Sequence, residues 1–209
     1  MLNYIHHADT VIIVLHEIYG VNQHIIDICE EFSKCGMDVI APNLLKDKES
    51  FRYDQEAIAY QHFMNNIGFG SAFDQVKRVL YNVRASYKAV YVVGYSVGAT
   101  LAWLCSETGL CDLAIGFYGS RIRDYFTRKP KCPVLLLFPT EEKTFDVDDL
   151  ISHLSNFEHI QVEKLAGQHG FANPFSASYN KESAIKSCRK IMSFVKKYER
   201  GMSKPRRNW

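Results

Sequence analysis

Two long apolar runs, Thr10–Leu15 (TVIIVL) and Pro133–Phe138 (PVLLLF), do most to limit what this chain can fold into. Runs of this kind without polar alternation suit strands covered on both faces, and such strands belong to parallel sheets layered between helices. Further strands are expected at 38–41, 89–93, 112–118 and 159–165. Helical patterns occupy 22–34, about 55–65, 71–85, 97–107, 146–155 and 180–198. This alternation predicts an α/β fold with a mostly parallel central sheet and helices on both faces. Its 209 residues, 47% hydrophobic, suffice for one core, so a single domain is expected over residues 1–199. The basic stretch at 200–209, with Lys204, Arg206 and Arg207, reads as a solvated tail after the last helix.

The strand at 89–93 runs into Gly94-Tyr95-Ser96-Val97-Gly98, followed by the helix-forming segment Ala99–Cys105. A strand that turns sharply into a helix projects the residue at the turn, and glycines two places either side let the two backbones approach. Ser96 is therefore a candidate nucleophile. A hydroxyl attacks only when a base takes its proton and a third group orients that base. Both partners are expected downstream, in the order serine, acid, histidine, at the ends of later strands. The run at 133–138 leads into Glu141 and Glu142, and the strand at 159–165 leads into Gly167-Gln168-His169-Gly170. The triad is expected to be Ser96, Glu142 and His169, with Asp146 as an alternative acid in the same carboxylate-rich loop. His153 and His159 sit in a helical stretch and before the last strand, while His6, His7, His24 and His62 precede the serine. The first long strand ends in His16-Glu17-Ile18-Tyr19-Gly20, which parallel order brings to the same sheet edge. Backbone N–H groups of Ile18 and Val97 are the expected oxyanion donors, and Glu17, Tyr19 and Tyr118 are expected at the substrate.

A net charge of +2 is too small to imply a nucleic-acid partner, and no run is apolar enough to span a bilayer. With no apolar signal segment at the start, the protein is expected to be cytoplasmic and its six cysteines reduced and used in packing. Their spacing lacks a Cys-x-x-Cys zinc pattern, and this chemistry needs no metal or organic cofactor.

His-Glu-Ile-Tyr-Gly-Val-Asn at 16–22, Gly-Tyr-Ser-Val-Gly at 94–98, Gly-Phe-Tyr-Gly at 116–119 and His-Gly-Phe-Ala at 169–172 together resemble the dienelactone hydrolase family. The resemblance spans Val11 to Tyr198 and implies an α/β-hydrolase fold, shortened at its N-terminus because little chain precedes Thr10. It implies a small-molecule ester or lactone as substrate and puts the triad on Ser96, Glu142 and His169. The family's extra glutamate, which contacts the resting nucleophile, falls on Glu17. Serine stands where the best-known members carry cysteine, which points to serine esterase chemistry. The arginine that binds a substrate carboxylate in those members has no match in Phe171-Ala172-Asn173-Pro174. A protein that keeps this fold but binds a ligand or partner without turnover is the alternative, and a broad ester panel separates the two.

Overall fold

The computed structural model describes residues 1–46 and 50–202. Among the described residues, seven strands form one sheet in the order β1-β3-β2-β4-β5-β6-β7. They are β1 (Leu2–Tyr4), β2 (Thr10–Leu15), β3 (Asp38–Ala41), β4 (Ala89–Tyr95), β5 (Leu113–Phe117), β6 (Val134–Pro139) and β7 (Ile160–Leu165). All neighbours are parallel except β1, which pairs antiparallel with β3 through Leu2–Ala41, Asn3–Ile40 and Tyr4–Val39. One antiparallel strand is thus present at the N-terminal edge of the sheet. Three residues are too few to show a period, and this strand owes its existence to a partner far along the chain.

The apolar runs are buried on both faces because side chains alternate across the sheet. Val11, Ile13 and Leu15 of β2 face one core with Val92 of β4 and Leu136 of β6. Ile12 and Val14 face the other with Val93 and Leu137. Helices α1 (Gln23–Lys34) and α6 (Lys181–Met202) lie on the second face, where Ile25, Cys29, Ile191 and Phe194 join its core. Helices α3 (Gly68–Arg84), α4 (Val97–Ser106) and α5 (Val147–Leu154) cover the first, through Val76, Leu80, Leu101 and Leu150. Every residue of α4 is buried, as expected of a helix apolar all round.

Helix α2 (Glu56–His62) joins α3 through a π-helical turn, Phe63–Ile67, so the helices expected at about 55–65 and 71–85 run on from one another. Helix α6 continues to Met202, so positions 200–202, expected in the tail, are helical; the rest of that basic segment, 203–209, lies outside the described residues. All six cysteines are free thiols, four buried and two, Cys35 and Cys188, exposed.

The chain leaves β2 toward β3 on one side and resumes at β4 on the other, so β2 and β4 flank the point where strand order reverses. Loops leaving the carboxyl ends of two such strands diverge and open a crevice between them. The segments that begin at His16 and at Ser96 are those two loops.

Candidate active site

Ser96 sits between β4 and α4 with φ 55° and ψ −112°, a backbone conformation that costs a non-glycine residue about 1–3 kcal/mol. Its N–H donates to the Phe117 carbonyl at 2.9 Å, which ties the turn to the end of β5. The two flanking glycines are required by contact. A Cβ on Gly94 would lie 2.0 Å from the Gly98 carbonyl oxygen, and one on Gly98 would lie 2.3 Å from that of Leu15.

The loops after β6 and β7 remain joined beyond the strands. Thr140 N–H donates to Leu165 O at 2.8 Å and Glu141 N–H to Gly167 O at 3.1 Å, which brings Glu142 beside His169. His169 Nδ1 lies 2.7 Å from Glu142 Oε1, and its Nε2 lies 2.9 Å from Ser96 Oγ. With the imidazole neutral, Nδ1–H donates to the carboxylate and Nε2 accepts from the hydroxyl, so a proton can pass from Oγ to the ring while Glu142 holds the ring's plane. Burial pulls the His169 pKa down, but the hydrogen bond and charge of Glu142, with the charges of Glu17 and Glu56, outweigh it and leave the pKa raised. Asp146, the alternative acid, caps α5 instead: its side chain accepts from the N–H groups of Asp148 and Asp149.

Glu17 is buried at the carboxyl end of β2, its side chain held by a polar network. Tyr118 Oη donates to its Oε1 at 3.1 Å and Asn173 Nδ2 to its Oε2 at 3.0 Å. Asn173 Nδ2 also donates to Tyr53 Oη at 2.9 Å, as does Asn22 Nδ2 at 3.0 Å. Burial raises the Glu17 pKa, against the opposing effects of His169, Tyr118 and Asn173. His16 fixes the start of the same loop. Leu44 N–H donates to its Nε2 at 2.9 Å, so Nδ1 carries the proton and donates to Glu17 O at 2.6 Å. Burial lowers its pKa to about 4 despite that bond, so the ring stays neutral as a structural tie.

These groups open onto a cleft of about 690 Å³ lined by Glu17, Ile18, Tyr19, Ser96, Val97 and His169, with Tyr53 and Asn173 on the Glu17 side. Tyr60, Met64 and Phe69, from the π-turn and its flanks, supply an apolar wall. Val97 is the first residue of α4, where N–H groups have no intrahelical acceptor, so its N–H is available to an anion. Tyr19 lines the cleft, whereas Tyr118 does not. It is fully buried, its hydroxyl is spent on Glu17, and its ring packs 4.8 Å from that of His169, so it supports the site from behind. Asn173 and Tyr53 escape sequence reasoning. No residue pattern marks either as part of the Glu17 network: Asn173 reaches Glu17 from 156 residues downstream, and Tyr53 joins through Asn173, 120 residues from it.

Among the described residues, no group of three or more His, Cys, Asp or Glu is placed to hold a metal ion, and no helix is long and apolar enough to cross a membrane.

The sequence profile of the dienelactone hydrolase family matches residues 4–199. The chain belongs to this family. The Bacillus subtilis protein YczH is 37% identical over 178 residues, which cover 84% of this chain and 87% of YczH. A carboxymethylenebutenolidase of Pseudomonas putida is 25% identical over 137 residues, covering 61% of this chain and 58% of the enzyme. Among solved structures, a dienelactone hydrolase-like promiscuous phosphotriesterase from metagenomic libraries superposes with a TM-score of 0.73 at 14% identity, covering 90% of this chain and 87% of the other. That likeness is one of fold: the dienelactone hydrolase family has an α/β-hydrolase architecture, and the sheet described above follows it.

Proposed function

We propose that this dienelactone hydrolase family member cleaves an ester or lactone of a small molecule through an acyl-enzyme on Ser96. The observation that carries the reading is the continuous hydrogen-bond chain from Ser96 Oγ through His169 to Glu142 at the floor of a cleft. In the first half-reaction Ser96 Oγ attacks the carbonyl carbon and its proton moves to His169 Nε2. The oxyanion that forms faces the N–H groups of Ile18 and Val97. Collapse breaks the ester C–O bond and His169 returns the proton to the leaving oxygen, which stays attached to the acyl group when the substrate is a lactone. A water then gives its proton to His169, attacks the acyl carbon and restores Ser96. Glu142 steadies the imidazolium in both halves. The relatives named as carboxymethylenebutenolidases support a carboxylic ester or lactone as substrate. The segment Phe171-Ala172-Asn173-Pro174 carries no arginine of the kind expected for the namesake's substrate, which favours a different acyl group.

A fluorophosphonate tests the reading directly. The native chain should gain the mass of one adduct and Ser96→Ala should gain none, read on the intact chains by mass spectrometry. A folded native chain that stays unmodified would leave the non-catalytic binder as the better account. Activity should also follow the state of His169. The base works only when neutral, and its pKa is raised from the ordinary 6.5, so kcat/KM should climb with pH through a midpoint above that value. A profile already flat from pH 6 upward would contradict this.

A further inference from the structure

We infer that Tyr53 is a specificity residue whose phenol O–H donates to an acceptor oxygen that the substrate carries beyond its scissile ester. The inference rests on the ester-hydrolase reading of the same cleft and adds a requirement to it. It follows from an account of hydrogens. Asn22 Oδ1 accepts from the Ile25 N–H at 3.3 Å, and Asn173 Oδ1 accepts from the Phe175 N–H at 2.9 Å. Each amide is therefore fixed with its NH₂ group turned to Tyr53, and both donate to Tyr53 Oη, at 3.0 and 2.9 Å. A phenol oxygen accepts about two hydrogen bonds and donates one. With both acceptor positions filled by groups that can only donate, the hydroxyl hydrogen must find its acceptor elsewhere. Tyr53 O–H donates to no other group among the described residues, and the side chain is half-buried on the wall of the cleft.

The donor is held in place as well as unspent. The Tyr53 ring packs against Tyr19, 4.7 Å between centroids, and the two asparagines come from the cap of α1 and the loop after His169. Burial raises the Tyr53 pKa, so the proton is retained at neutral pH. A donor fixed in this way gains little from an alkyl group, which would leave its O–H unpaired, and gains from an ether, keto or carboxylate oxygen. The matching substrates are esters or lactones with such an oxygen near the reacting bond.

Matched esters that differ by one oxygen for one methylene test this. For the acyl side, p-nitrophenyl methoxyacetate is compared with p-nitrophenyl butyrate; for the alcohol side, 2-methoxyethyl butyrate is compared with n-butyl butyrate. Intrinsic reactivity cancels when each kcat/KM ratio of the native protein is divided by that of Tyr53→Phe. One side should show a preference for the ether over the alkyl ester that falls about tenfold in the variant. Equal loss on both members of each pair would mean that Tyr53 only supports Glu17 and Asn173, and would overturn the inference, as would ratios that do not move. If the native chain cleaves none of these esters and takes no fluorophosphonate, the hydrolase reading fails and the inference fails with it.

Discussion

Ser96→Ala and His169→Ala should each lower kcat for a cleaved ester by about 10⁴- to 10⁶-fold with little change in KM, and the double variant should be no slower than either. The expectation follows from the single proton path in the site. Ser96 Oγ and His169 Nε2 are 2.9 Å apart, and either group without the other has no work to do. On the proposed mechanism, the cleft and its N–H donors survive the loss and would still bind the ester and stabilise an oxyanion formed by attack of water. Glu142→Gln should cost less, about 10³- to 10⁴-fold, because it keeps the contact with Nδ1 at 2.7 Å but loses the charge that favours the right tautomer and the imidazolium. Steady-state kinetics on one activated ester decides the matter. A His169→Ala variant that keeps most of the native kcat, or a double variant whose losses multiply, would break the proposed relay.

The parts of this molecule that sequence reasoning reaches are those governed by local chemistry. Strands β2 and β6 announce themselves because both faces must be apolar, and the elbow does so because two glycines bracket a serine at a strand end. From strand order alone, the loops after β2, β4, β6 and β7 fall at one edge, which is enough to bring Glu17, Ser96, Glu142 and His169 together. Contacts between distant segments are not legible in this way. β1 exists only as a partner of β3, and Tyr118 has the same neighbours in sequence whether its hydroxyl meets substrate or Glu17. The two carboxylates Glu142 and Asp146 are a middle case. Asp146 precedes Val-Asp-Asp and an apolar helix face, which is an N-cap pattern, and the structure spends its side chain there. The Tyr53 network depends on the orientation of two amides, each set by a backbone N–H that no pattern of residue types specifies.

Gly98→Ala should destabilise the fold by about 3 kcal/mol or more, the upper end for overpacking. The size comes from what the new methyl group would meet. Its carbon would lie 2.3 Å from Leu15 O and 2.7 Å from His16 O, both backbone atoms. Leu15 ends β2, which is hydrogen-bonded to β3 on one side and β4 on the other, so it cannot retreat without breaking the sheet. The helix cannot retreat either. It is buried all round, and its first turn follows directly from Ser96, whose positive φ already stores strain. For a domain of this size such a loss corresponds to a fall in Tm of roughly 6–12 °C. Gly70→Ala is the control: it lies inside α3, where an added Cβ meets nothing within 4 Å, so the exchange should be neutral or stabilise by about 0.5–1 kcal/mol. Thermal and urea unfolding of the two variants beside the native protein measure the difference. Equal stability of Gly98→Ala and the native chain would mean that α4 does not pack against the end of β2 at this distance, and the geometry that aims Ser96 into the cleft would have to be redrawn.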